Sequence, residues 1–422
     1  MGARSAIPSR FTSYCRIGIL WELIGMDGMR DQPMGWLVAL ATAMTACSFG
    51  APSIPDDATI PGDDAPGDDA PGDDAAIDAP TGGPNGWWNA AWPRRRPIAI
   101  RNTELTGPVT SFPILVRLPA SVLAVAGTGG NDLRFVTGPP VTVLSYEIDT
   151  ASPPADVLVW VRMPALSPTG PAPALWVYYG NAGATAGSNG AAVFGDLYTS
   201  VHHLDADLDD ATGHNHTAVA PNGGQTPAPR AGQIGGGRDF DGQNDYLTLA
   251  GNEADFDFTA ALSVSAWIRV ENLGPEYQAI VTKGDSSWRL HRHNQTAFIG
   301  FGTNTPTTPS TNQNSSGDMA IDDGGWHHVA IVYGGAMKRI FVDGTLDQAD
   351  TVPNATINTN NFAVAIGRNA ESNTGGERVW NGDIDEVRIS GAARDAHWMF
   401  AEHHTVRDAD FVTPGPEETA PP

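Results

Sequence analysis

With 422 residues and a formal net charge of −24, the chain is long enough for two domains and too acidic to hold nucleic acid, whose phosphates need a basic surface. Its 48 glycines and 33 prolines, with few helical stretches, predict short strands joined by turns, an all-β protein. The two cysteines, Cys15 and Cys47, precede any foldable segment, so no disulfide framework or thiolate metal site is available.

Residues 1–46 have the character of a targeting segment. The apolar run Met34–Met44 is short for a bilayer span and suits the core of a secretion signal, with Arg30 as its basic flank if translation starts at Met26 or Met29. The run ends Met44-Thr45-Ala46-Cys47, which resembles the bacterial lipobox, with Met where Leu is usual. That resemblance implies lipidation at Cys47 and a membrane partner. Ser48, in place of Asp, implies sorting to the outer membrane; plain secretion is the alternative. Residues 47–86 follow as a linker. Pro61-Gly-Asp-Asp-Ala65 recurs at 66–70 and 71–75, and nine aspartates with no basic residue cannot bury a core, so an extended tether is expected.

The first foldable segment spans 87–195. Short β-branched or aromatic runs bounded by Pro, Gly or Asn fit a β-sandwich: Phe112–Leu118, Leu133–Val136, Leu144–Ile148, Val157–Met163 and Leu175–Tyr179. Its opening Trp87-Trp88…Trp92-Pro-Arg94-Arg95-Arg96 and closing Tyr178-Tyr179-Gly180-Asn181 resemble a bacterial cell-envelope domain family of unknown function. Trp87, Trp88 and Trp92 read as aromatic anchors of the first strand, against the alternative of a sugar-stacking platform.

The second segment, 197–405, centres on a hairpin, Trp326–Tyr333 and Ile340–Val342, with reversals at Gly334-Gly335 and Asp343-Gly344. Alternation sends Trp326, His328, Ala330 and Val332 to one face and His327, Val329, Ile331 and Tyr333 to the other. Apolar residues on both faces predict a strand packed on both sides. With His203-Leu204-Asp205, Arg238–Leu247, Leu262–Ile268, Ile280–Asp285, Ile366-Gly367-Arg368 and Gly382–Ile389, the order of landmarks resembles the laminin-G-like branch of the concanavalin A-like lectin/glucanase superfamily, which implies a two-sheet jelly roll. The run 392–403 is expected to form a closing helical turn, and the Pro- and Glu-rich 406–422 to be disordered.

The superfamily includes glucanases, which need two carboxylates on one strand face about 5 Å apart. Asp383 and Asp385 share a face, but Val387 and Arg388 stand where the second acid would be, and alternation sends Glu386 to the opposite face. The sequence therefore predicts a non-enzymatic protein. Calcium is the expected cofactor, with Asp210, Asn215, Asp245 and Asp385 as donors at the sandwich rim; the competing reading makes these residues turn caps. The paired histidines, among them His202-His203 and His291/His293, lack an evident third ligand for zinc. Tyr277, Trp288, His291, Arg292 and Trp380 are the candidates for ligand recognition. The expected partner is a glycan or a cell-surface protein, and the alternative role is a structural or adhesion component of the envelope.

Overall fold

The computed structural model describes residues 86–150, 156–221, 224–305, 312–352, 356–371 and 378–421, so the expected signal, Cys47 and the acidic tether lie outside the described residues. Two β-sandwiches follow one another. In the first, a six-stranded sheet runs Val412–Pro414, Arg94–Ile100, Leu175–Tyr179, Arg134–Thr137 and Thr142–Leu144, with Glu418–Thr419 also paired to Arg94–Ile100. It faces a three-stranded sheet of Val109–Leu118, Val157–Leu166 and Tyr146–Thr150. Phe112, Ile114, Val116, Val159, Val161, Phe135 and Val177 fill the space between them.

The signatures at the two ends of this sandwich are structural. The Arg95 guanidinium lies between Trp87 and Trp176, 4.4 and 4.0 Å from the ring centres. Trp87 and Trp92 are buried in a small aromatic cluster, so neither presents a face to a sugar. The Trp92 indole N–H donates to the Asp132 carbonyl at 2.6 Å, while the Asp132 carboxylate accepts from Gly127, Gly180 and Asn181.

The second sandwich pairs an eight-stranded with a seven-stranded sheet. The larger runs Ala228–Ala231, Gly236–Asp241, Asn381–Ser390, Leu262–Val270, Trp326–Gly334, Met337–Val342 and Thr345–Thr351, with Ser200–His202 also paired to Asn381–Ser390. The smaller contains Trp288–Arg292 and Phe298–Asn304 near one edge and Leu247–Leu249 near the other. The central hairpin has the expected faces: Val329, Ile331 and Tyr333 enter the core between these sheets. Its turn falls one residue later than the glycine pair suggests, at Gly335-Ala336, both with φ +60°, whereas Asp343-Gly344 reverses the chain as read.

Ala330, Val332, Trp267 and Phe341, on the outer face of the eight-stranded sheet, belong to the core of the first sandwich. The helix Ala396–Arg407 contributes Trp398, Met399, Ala401 and Val406 to the same core. It spans twelve residues instead of one closing turn, and its first turn is capped by the Asp395 carboxylate, which accepts from Trp398 N–H at 2.9 Å. Its Glu402 is buried among Ser265, the Trp398 indole N–H (3.0 Å), Tyr198 and His328. Burial alone would raise its pKa, but His328, Arg388 and Ser265 hold it down at about 2.

The expectation of a disordered tail at 406–422 is corrected. Phe411 and Val412 are buried in the first sandwich, and Ile98, Ala99 and Ile100 pair with Pro414, Thr413 and Val412. Glu417 pairs with Arg94, Glu418 with Arg95 at 2.8 Å, and Arg96 donates to the Gly415 carbonyl at 2.9 Å. Proline and glutamate suggested a segment with nothing to bury, yet two apolar residues and three arginines waiting on the first strand are enough to dock it.

Phe411→Ala should therefore cost about 3–5 kcal/mol, the usual penalty for emptying a buried phenylalanine site, read from urea unfolding of the full chain. Acid should act through Glu402. Its folded pKa lies below its unfolded value, so its stabilisation is present above pH 4.5 and lost as pH falls towards 2. The melting temperature of Glu402→Gln should thus be lower than wild type at neutral pH and fall less steeply over that acid range.

Candidate functional site

The ligand-recognition residues read from the sequence are mostly interior. Trp288 and Trp380 are buried in the second core, their indole N–H groups donating to the Phe256 carbonyl at 3.1 Å and the Asp383 carbonyl at 3.3 Å. Neither can stack on a sugar, and that expectation is corrected: alternation along Trp288–Arg292 puts Trp288 and Leu290 on the core side. His291 is fully buried, its ring lying where a side chain at Gly300 would be, with Nδ1 2.8 Å from the Arg292 carbonyl. Arg292 is spent on Gln278 (2.8 Å) and on the carbonyls of Thr296 and Gly274. Tyr277 alone keeps surface, half-buried against His291 and His293.

The four expected calcium donors do not converge. The Asp210 carboxylate accepts from Val201, Thr212 and His216 N–H groups and the Thr212 hydroxyl, which uses its lone pairs as a turn cap. Asp245 accepts from Asp241 N–H at 3.2 Å. Asn215 is exposed, with φ +67°. Among the described residues, none of the three groups of His and carboxylate atoms close enough to share one ion contains Asp210, Asp245 or Asp385.

Two openings lie along the segment that joins the sandwiches. The larger, about 670 Å³, is bordered by Tyr198 and Thr199 of the connection, His214 and His216 of the acidic loop, Asp255, and Arg394 beyond the last sheet strand. The His216 Nε2 lies 3.3 Å from Asp255, and the Arg394 guanidinium rests 4.0 Å over Trp398. Asp196, also in the lining, is bound by Arg162, which keeps its carboxyl below the usual range.

The smaller opening, about 340 Å³, is acidic: Glu147 and Asp149 come from the first sandwich, and His203, Asp205, Asp207 and Asp209 from the connection. Beneath it His203 is held on both ring nitrogens, Nδ1 at 2.6 Å from Glu386 and Nε2 at 3.2 Å from Glu147. The Trp160 indole lies parallel to the imidazole at 6.2 Å and donates to Asp149 at 3.0 Å. Burial would strip His203 of its proton, but Glu386, Asp149 and Glu147 outweigh it and raise its pKa well above the ordinary value. Burial raises Asp149 to about 7 despite that imidazolium.

Glu386 reaches this place because of a β-bulge. Ser265 faces Arg388 and Trp267 faces Asp385, so Ala266 alone opposes Glu386 and Val387. Glu386 takes φ +51°, and the alternation slips there. Ile384 and Val387 still enter the second core, while Asp385 and Glu386 both leave it. The expected opposition of Glu386 to Asp385 is thereby corrected. Alternation arguments cannot register an inserted residue. Sequence periodicity does not place this cluster, although Glu147 and Asp149, at i and i+2 on one face of the strand Tyr146–Thr150, are a visible signal.

Residues 241–398 match the family model of the concanavalin A-like lectin/glucanases superfamily, and residues 129–210 match that of a domain of unknown function. The C-terminal half thus carries a lectin/glucanase-superfamily domain, preceded by a domain to which no activity is assigned. Among solved structures, the chain is similar to the binding domain of Paraclostridial Mosquitocidal Protein 1 (15% identity, TM-score 0.41, 50% of this chain and 52% of that one), so it spans about half the length of that structure. It is also similar to domain 4 of AbnA, an extracellular arabinanase from Geobacillus stearothermophilus, in complex with arabinotriose (20%, 0.38, 48% and 96%). A third is the Ruminococcus gnavus sialidase module bound to α2,3-sialyllactose (12%, 0.34, 40% and 96%). No curated protein matches the chain.

Proposed function

We propose that this is an exported, lipid-anchored protein that binds a glycan at the cell surface through its lectin-like sandwich. The observation that carries the reading is the cleft of about 670 Å³ where the connection between the sandwiches meets the matched domain, a volume that suits a small ligand, with His214, Asp255 and Arg394 offering planar donors and acceptors. Planar polar groups of this kind can engage adjacent sugar hydroxyls in pairs. Binding rather than hydrolysis fits Asp196, whose carboxyl Arg162 holds low, opposite to what a general acid needs. Cys47 supplies the anchor and the aspartate-rich linker the stand-off. Among the described residues no helix is long and apolar enough to cross a membrane.

The test is a glycan array followed by calorimetric titration of the hits into the full chain carrying Cys47→Ser. His214→Ala and Asp255→Ala, both at positions with surface to spare, should weaken binding about tenfold or more with the melting temperature unchanged. Binding that survives both changes would overturn the cleft assignment, and capture of a protein partner with no glycan hit would favour adhesion. The titration is repeated with calcium and with chelator, since Asn215 lies between the two cleft histidines. Tighter binding with calcium would support the ion's part, and equal binding would remove it.

The anchor has its own measurement. Wild type should incorporate labelled fatty acid and partition with membranes, whereas Cys47→Ser should do neither; a membrane-bound, unlabelled wild type would refute lipidation at Cys47.

A further inference from the structure

We propose that the junction between the two sandwiches is a binding site for a zinc-class divalent cation, with His203 Nδ1, Asp149 and Glu386 as ligands. Their ligand atoms lie within 4.8 Å of one another, and the three side chains are 13%, 3% and 2% exposed. Each comes from a different part of the chain: an edge strand of the first sandwich's small sheet, the connection, and the bulged strand of the second sandwich. Glu147, 3.2 Å from Nε2, stands where an outer carboxylate accepts the N–H of a metal-bound imidazole, fixing the tautomer and aiming Nδ1 inward. The distance from Nδ1 to Asp149 is 3.7 Å, which leaves room for an ion between them.

A second observation is independent of this trio. Asp385 is fully buried, and the bulge turns it out of the second core on the same side as Glu386. One of its oxygens accepts from Ile234 N–H at 3.1 Å, and the other, Oδ1, has no hydrogen-bond partner. Such an oxygen away from water wants a cation or a proton. The charges point the same way: Glu147, Asp149 and Glu386 surround the one imidazole of His203, and Arg388 binds Glu386 through Oε2 at 2.8 Å, which leaves Oε1 for the ion. The acidic opening, with Asp205, Asp207 and Asp209 at its border, provides a path in from solvent.

One imidazole and two carboxylates, with an open side, match the ligand set of three-coordinate protein zinc sites better than the all-oxygen shell calcium prefers. The two other groups of this type among the described residues are weaker. Glu104–His404–Asp408 includes an exposed member, and Asp239–Glu271–Asp383 is already neutralised by Arg230 and Arg269.

The experiment titrates zinc alone into chelator-treated full-length chain in detergent, by calorimetry with a parallel thermal melt. One equivalent should bind and raise the melting temperature. Asp149→Asn and His203→Asn should each lower the affinity tenfold or more, and Glu147→Gln, which changes only the outer carboxylate, by about tenfold. Glu104→Gln should leave binding unchanged. Circular dichroism identifies any variant that fails to fold, and Glu147→Gln, at the edge of the opening, keeps the test alive if His203→Asn does. No stoichiometric binding, binding indifferent to Asp149→Asn and Glu147→Gln, or binding lost in Glu104→Gln would each overturn the site.

Discussion

The constraint on which this structure depends is that one sheet is buried on both faces. The eight-stranded sheet gives its inner face to the second core in the usual way, with Ile268, Ile331, Ile384 and Ile389. Its outer face, which water would normally cover, carries Ser265, His328, Asp385, Glu386 and Arg388, all nearly or fully inaccessible. Polar groups so placed must be answered from the opposing side. The helix Ala396–Arg407 supplies Glu402 for Ser265 and His328, the connection supplies His203 for Glu386, and the first sandwich supplies the Trp160 face, 4.3 Å beneath Arg388. The two sandwiches are therefore complementary halves of one electrostatic arrangement.

That complementarity explains which parts were legible in the sequence. Period-two alternation in Trp326–Tyr333 gave the strand, its faces and the fact of two-sided packing, because a strand apolar on both faces must be shielded from water on both. The Gly334-Gly335 and Asp343-Gly344 reversals gave the turns to within one residue. The identity of the second partner was not legible, since nothing local in Ala330 or Val332 says that a helix and another sandwich lie above them.

The sites were harder for the same reason. Trp288 and Trp380 were singled out as large aromatics near strand ends, yet aromatic side chains close the ends of a sandwich core as often as they line a binding surface. The acidic loop was noticed, but its Asp210 is consumed by backbone N–H groups, and the residues that face one another across the junction are separated by up to 239 positions, from Glu147 to Glu386. Bringing them together required a bulge, a single inserted residue that periodicity cannot announce. The tail misled by composition: proline suppresses helix and sheet propensity on average, but three strand residues and two ion pairs suffice when an open sheet edge is waiting.

The docking of that tail has a mechanical meaning. Arg94 lies beside Thr419 and Ile98 beside Pro414, so the first strand of the first sandwich is flanked by residues 412–419, which follow the whole second sandwich in the chain. The first sandwich therefore lacks one edge until residues 412–419 have been made, after every strand of the second sandwich. Once closed, a pull between the N-terminal side and the second sandwich passes through Arg94–Ile100. That strand is bonded on both sides, to Leu175–Tyr179 and to the tail, so the load is shared between two rows of hydrogen bonds.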